Sequence, residues 1–99
     1  MYAIVRRAAY RADAVDGVRQ HLDEFQEQHA SQAGYVGTVV VDAGDGVWLT
    51  LNLWDSEEAA RAALPAMIPV VRRLLEPAMR EPSDIVGAGP VILTDLVAR

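Results

Sequence analysis

The chain has 99 residues, no cysteine and a formal net charge of −5. No disulfide, thiolate metal site or redox thiol is open to it, and an acidic chain without a basic stripe has no nucleic-acid signature. All its basic residues are arginine, and 52% of the chain is hydrophobic, which argues against disorder. The length suits one domain, 1–99, with a single core. No apolar run approaches the roughly 20 residues of a membrane helix. The opening MYAIVRRAAYRADA lacks the charged-then-apolar order of a secretion signal. The expectation is a cytoplasmic protein with no membrane or nucleic-acid partner.

Tyr2 to Ala9 reads as a first strand, apolar on both faces and so interior to a covered sheet. Arg6 and Arg7 stand side by side at its end. One of them could meet an anionic substrate; the ordinary arrangement is one rim ion pair and one solvated side chain. Asp13 can cap a helix over Ala14 to Ala33, with Val15, Val18, Leu22, Phe25 and His29 as a core stripe at spacings of three and four. Gly34 is its natural stop. His21 and His29, about two turns apart, have only Glu24 nearby as a further ligand type. Nothing completes a metal site, so no metal is expected. The reading of His29 is an edge histidine continuing the apolar stripe.

Tyr35 to Asp42 reads as a second strand, and Ala43-Gly44-Asp45-Gly46 as the turn of an antiparallel hairpin. With residue 41 set opposite residue 47, Tyr35, Gly37, Val39 and Val41 share one face, and Val36, Thr38 and Val40 the other. A slip of one residue would exchange them. In the third strand, Val47 to Trp54, period two puts Val47, Leu49, Leu51 and Leu53 on one face. Trp48, Thr50, Asn52 and Trp54 take the other. The leucine face suits a helix-covered core. The second face is uncharged but rich in polar groups, as a ligand pocket or subunit interface would be.

Asp55 and Ser56 can cap a second helix whose first turn holds Glu57 and Glu58. Pro65 and Pro69 predict a kink or break near Leu64. Helical spacing resumes through Met67, Ile68, Val71, Leu74, Leu75 and Ala78. Arg72 and Arg73 point about 100° apart, so one of them can reach a site. Asp84 to Val97 supplies a last strand in two pieces, IVGA and PVILTDLV, divided by Gly89-Pro90.

The order strand, helix, strand, strand, helix, strand is that of an α+β ferredoxin-like β-α-β-β-α-β fold with an antiparallel sheet. Helices cover one sheet face. The other, expected to carry the two tryptophans, would be bare on a monomer, and a partner packing sheet against sheet would cover it. The expected assembly is therefore a homodimer through sheet faces.

The opening YAIVRRA, the strand GYVGTVVV and above all LTLNLWDSEEAARAAL resemble the antibiotic biosynthesis monooxygenase-like family of dimeric α+β barrels. Its members share a strand-end tryptophan followed by a capped, acidic, alanine-rich helix. The resemblance covers nearly the whole chain. It implies a cofactor-independent monooxygenase acting on an aromatic or quinol-type small molecule, with neither metal nor flavin.

For such an oxygenase the candidate catalytic donors are Trp54, which matches the family's strand-end tryptophan, and Asn52, by its chemistry and not by a family position; Trp48, Thr50, Arg72 and His29 are the candidate substrate-binding residues. Asn52 and Trp54 offer N–H groups to a developing oxyanion, and Trp48 could stack on a ring. Trp48, Asn52 and Trp54 could equally fill a barrel core or a dimer interface. The general base is open, with His29, His21 and Arg72 as candidates.

Two other roles stay open: a small-molecule-binding dimer without turnover, and a heme-binding or heme-degrading relative. Trp54 matches the heme-degrading enzymes as well. Their heme-ligating histidine has no counterpart between Pro69 and Arg80, and their first-strand asparagine is replaced by the Arg6-Arg7 region.

Overall fold

A computed structural model describes residues 1–96. The elements follow the predicted order: β1 (Tyr2–Ala9), α1 (Val15–Ala30), β2 (Tyr35–Asp42), β3 (Val47–Trp54), α2 (Glu57–Leu74), a short 3-10 turn at Glu76–Ala78, and β4 (Asp84–Pro90). The strands form one antiparallel sheet in the order β2-β3-β1-β4. This is the ferredoxin-like β-α-β-β-α-β fold.

The register of the central pair fixes the site. Tyr2 lies opposite Trp54, Ile4 opposite Asn52, Arg6 opposite Thr50 and Ala8 opposite Trp48. These eight side chains share one face of the sheet, since facing partners in a ladder point the same way. That face is the helix-covered one. Trp48 and Trp54 are buried in one cluster with Val18 of α1 and Ala60, Ala63, Met67, Val70 and Leu74 of α2. The expectation that the leucine face lies under the helices is reversed. Val39, Val41 and Leu49 on the opposite face keep 43%, 48% and 36% of their surface exposed, although Leu53 is buried. The reason is volume. The first turns of α2 bury only alanines, Ala60 and Ala63, which leaves depth for an indole beneath the helix.

The hairpin also departs from the expected register. Val41 pairs with Leu49 and Val40 with Thr50, a shift of two residues from the predicted alignment. A shift of two preserves the faces, so Thr38 and Val40 stay with Asn52 and Thr50. Tyr35 is the exception. A register irregularity between Tyr35 and Gly37 places Tyr35 opposite Trp54, on the covered face.

Helix α1 carries the predicted stripe, with Val18 and His29 buried. It begins after Ala14 without a side-chain cap, so Asp13 does not cap it; Asp13 lies instead 3.5 Å from Arg11. It ends at Ala30, before the expected Ala33. Helix α2 is capped by Ser56, whose Oγ accepts the Ala59 N–H at 3.0 Å. It runs unbroken through Pro65 and Pro69. Both prolines, and Arg61 whose carbonyl loses its usual donor to Pro65, lie on the exposed side, where water can take up the freed carbonyls. The last strand ends at Pro90, and PVILTDLV does not continue it. Ile92, Leu93 and Leu96 are exposed, and Val97 lies outside the described residues.

The hairpin turn docks on the end of β1. Tyr10 N–H donates to the Gly46 carbonyl at 2.8 Å, and Arg80 donates to the Asp45 carbonyl at 2.7 Å. Gly46 has φ of +76°, and a Cβ there would sit 2.5 Å from the Tyr10 carbonyl oxygen. Gly46→Ala is therefore expected to destabilise the fold by about 2 kcal/mol, through both backbone strain and the contact. Gly17→Ala, inside α1 with open space around it, is expected to stabilise by about 0.5 kcal/mol or more. Urea midpoints of the two variants test the pair, and equal midpoints would contradict it.

Candidate active site

A cavity of about 470 Å³ lies between the covered sheet face and the helices. Its floor is Ile4, Arg6, Ala8 and Tyr10 from β1 and its extension, with Thr50, Asn52 and Trp54 from β3. Phe25 and His29 of α1 form one wall, and Ala60, Ala63, Met67 and Val71 of α2 the roof. The exposed side chains Leu64, Ile68, Arg72, Glu76, Ser83 and Ile85 mark the rim. The size and the mostly apolar lining with a few polar groups are those of a small-molecule site.

The cavity brings together Asn52, Trp54, Thr50, His29 and Arg72. Trp48 does not line it. Its ring packs edge-on against Tyr10, with centroids 5.2 Å apart, and the Arg19 guanidinium lies 5.3 Å from its centre. Trp48 thus backs the Tyr10 side chain, and Tyr10 is the ring that the cavity meets. His21 is exposed, in a separate groove with Arg11, Asp13 and Arg73. Among the described residues, no three His, Asp or Glu side chains gather as a metal ligand set.

Asn52 is buried and its carboxamide is oriented from behind. The Thr38 hydroxyl donates to Asn52 Oδ1 at 3.0 Å. That uses the one hydroxyl proton of Thr38, so in the 2.7 Å contact between Tyr35 and Thr38 the tyrosine is the donor. Gln26 Nε2 in turn donates to the Tyr35 hydroxyl. The chain of bonds runs one way, from Gln26 through Tyr35 and Thr38 to the Asn52 carbonyl. It leaves Asn52 Nδ2 as the free group, without a protein partner among the described residues, on a side chain that lines the cavity. The irregularity that moves Tyr35 to the covered face makes this chain possible.

His29 is packed by three rings. Phe25 meets it edge-on at 4.5 Å, Tyr35 stacks at 5.7 Å and Trp54 lies tilted at 6.1 Å. Burial pushes its imidazole down to about 4, and the Arg6 charge adds to the effect. Its Nδ1 is buried without a hydrogen-bond partner. At neutral pH His29 is an uncharged ring, and a group held so low is a weak base. Tyr10 is pushed up to about 12 by burial and stays a phenol. Asn52 thus presents its N–H group on a side chain that lines the cavity, Trp54 lines the floor beside it, and His29 stands as a neutral wall.

Arg6 also enters the site. The register puts it opposite Thr50 on the cavity floor, half-buried, with no side-chain hydrogen bond or ion pair among the described residues. Arg7 faces the other way and pairs with Glu81 at 2.7 Å. The doublet Arg6-Arg7 was the available signal, and strand parity decides which member enters the site.

The sequence profile of the antibiotic biosynthesis monooxygenase family matches residues 1–65. The chain belongs to this family. Comparison with curated protein sequences returns no match. Among solved structures, the fold is similar to NE2512, a protein of unknown function from Nitrosomonas europaea. That pair has a TM-score of 0.83 at 12% identity, covering 99% of this chain and 95% of that one. It is also similar to SnoaB, a cofactor-independent oxygenase from Streptomyces nogalater, with a TM-score of 0.78 at 19% identity over 97% of each chain. Rv0793 from Mycobacterium tuberculosis gives 0.75 at 16% identity, over 95% of this chain and 97% of that one. Identities this low speak for the fold of this family member and leave its substrate to the chemistry of the cavity. No helix among the described residues is long and apolar enough to cross a membrane.

The depressed His29 gives a pH signature. Its folded-state value, about 4, lies below the ordinary 6.5. The neutral folded form is then fully favoured above the ordinary value, and the stability it contributes is lost as pH falls from about 6.5 towards 4. Melting temperature is expected to drop across this window in the unmodified protein and to drop less in His29→Phe. Parallel curves for the two would show that His29 does not titrate in this way.

Proposed function

We propose that this family member is a cofactor-independent monooxygenase acting on a phenolic or quinol-type aromatic molecule held in the cavity. The observation that carries the reading is the Asn52 carboxamide. It is buried on the cavity floor, and its carbonyl is tied to Thr38, so that its N–H group is the part left to a ligand. Membership in the family and the likeness in fold to a cofactor-independent oxygenase point the same way.

A flat ring fits between Trp54 at one end of the floor and Tyr10 at the other, under the Met67 and Val71 side chains. A phenolate oxygen accepts from Asn52 Nδ2, and a donor already oriented there costs no reorganisation. The phenolate is electron-rich and passes an electron to oxygen. The two radicals combine at the ring carbon para to the oxygen, giving a peroxide. Loss of the proton on that carbon and breakage of the O–O bond release water and leave a second carbonyl. Phenol and O₂ thus give quinone and water, with oxygen as both the oxidant and the source of the new atom. The apolar roof keeps water from the intermediate.

Oxygen uptake with a panel of phenols and quinols, in the presence of a chelator, tests this. One oxygen atom of labelled O₂ is expected in the product. Asn52→Ala is expected to lower kcat on the order of a hundredfold, the usual effect of removing one oxyanion donor. No uptake with any member of the panel by the unmodified protein would overturn the reading.

The same reading includes a homodimer, built on the face that the helices leave open. Val39, Val41 and Leu49 expose apolar surface there, as an uncovered sheet face on a soluble chain does when a second copy packs on it. Native mass spectrometry is expected to give a dimer for the unmodified chain and a shift to monomer for Leu49→Glu. A monomer for the unmodified chain would remove the dimer.

A further inference from the structure

The arginines divide in an instructive way. Arg7 pairs with Glu81, Arg11 with Asp13 and the Pro77 carbonyl, Arg19 with Asp42, Arg61 with Glu57 and Arg73 with Glu24. Arg80 donates to the carbonyls of Tyr10 and Asp45. Two arginines among the described residues have no such partner, Arg6 and Arg72, and both line the cavity. In a chain with net charge −5, carboxylates are in excess, so two unmatched cations in one cavity are not explained by scarcity of partners. Arg6 lies on the floor among Ile4, Ala8 and Thr50, where a charge without a counter-charge is costly. Arg72 is exposed at the rim, near Glu76.

We propose that Arg6 is an anion anchor: the cavity takes an aromatic ligand that carries an ionised oxygen, and that oxygen is the counter-charge Arg6 lacks. The guanidinium presents fixed donors suited to such an oxygen, next to the free Asn52 N–H group on the same floor. Arg72 at the mouth draws an anion inward. This deepens the oxygenase reading and rests on its assignment of the cavity as the substrate site.

The anchor also answers the question of the base. The titratable groups facing the cavity are Arg6, Arg72, Glu76, His29 and Tyr10. His29 is uncharged and a weak base, Tyr10 is a protonated phenol, and Glu76 stands at the exposed rim. None of them is a strong base on the floor. With Arg6 beside it, a phenol binds as its own anion, and its proton leaves to solvent through the mouth. The positive floor does by stabilisation what a base would do by abstraction. The ionised oxygen could come from a phenol or from a carboxylic acid, and the chemistry at Arg6 is the same for both.

The probes are 4-nitrophenol, its neutral methyl ether 4-nitroanisole, and the carboxylate 4-nitrobenzoate. At a pH below the ionisation of free 4-nitrophenol, its binding to the unmodified protein is expected to produce the phenolate absorption band. Arg6→Gln is expected to abolish that band and to weaken binding of the anionic probes by tenfold or more, on the order expected for a charged hydrogen bond. Binding of 4-nitroanisole stays unchanged, and Arg6→Lys, which keeps the charge, retains most of the affinity. Arg6-dependent binding of 4-nitrobenzoate without a phenolate band also supports the anchor and names a carboxylate as its ligand. Equal affinity for 4-nitrophenol and 4-nitroanisole, with no band, overturns the proposal, as does failure of both anionic probes to bind. The unmodified protein alone gives the spectral answer if Arg6→Gln does not fold. Oxygen uptake that survives in Arg6→Gln would leave the oxygenase standing without the anchor. Absent uptake alongside an Arg6-dependent phenolate band would leave the anchor standing in a binding protein.

Discussion

Trp48 and Trp54 stand six residues apart on one face of β3, a span of about 20 Å along an extended strand. Between them come only Thr50 and Asn52, both much smaller. The helices rest on the indoles at the two ends, and Tyr10 thickens one of those supports by packing edge-on against Trp48. The space between the supports is roofed rather than filled from above, because α2 presents the small Ala60 and Ala63 there beside Met67 and Val71. An internal cavity is the geometric result. It costs packing energy that a closed core would have gained. A fold that carries such a cost puts its polar groups there: Arg6, Asn52 and His29 all open onto this space.

Electrostatics sharpen the same picture. The ring-packed His29 is kept uncharged first by its burial and then by the Arg6 charge nearby. The floor therefore holds a single fixed positive group rather than a pair whose charges depend on pH. The neighbouring donor on Asn52 is oriented by Thr38, and the Thr38 hydroxyl by Tyr35. Thr38 and Tyr35 both come from β2, an edge strand that lines none of the cavity itself.

Much of this was legible in the residues. Period two in Val47 to Trp54 sorts β3 into its two faces, and the stripe from Val15 to His29 marks the inner side of α1. What the residues could not say was which face of β3 the helices cover. Both are uncharged, and leucine and indole are alike in their preference for burial. The deciding fact is the small size of Ala60 and Ala63, a property of a different element. Pro65 and Pro69 misled for a related reason: proline disrupts a helix through a lost donor, and the effect depends on whether the freed carbonyl sees water, which it does here. Tyr35 escaped because one irregular position in a strand exchanges faces for everything before it. Between Arg6 and Arg7, adjacency alone offered no choice; pairing with Thr50 makes it.

The one-way run of hydrogen bonds from Gln26 to Asn52 has an effect that reaches past orientation. A carboxamide can show either of its ends to a visitor, and a free one would greet amines and alcohols as readily as ketones. Here the accepting end already receives the Thr38 hydroxyl proton, which leaves the N–H end to the cavity. With Arg6 on the same floor, the pair of side chains gives hydrogen bonds and leaves acceptance to the Thr50 and Tyr10 hydroxyls. It acts as a polarity filter, in which molecules of equal shape are sorted by whether they bring lone pairs or protons. That rule is set by Thr38, a residue on the next strand.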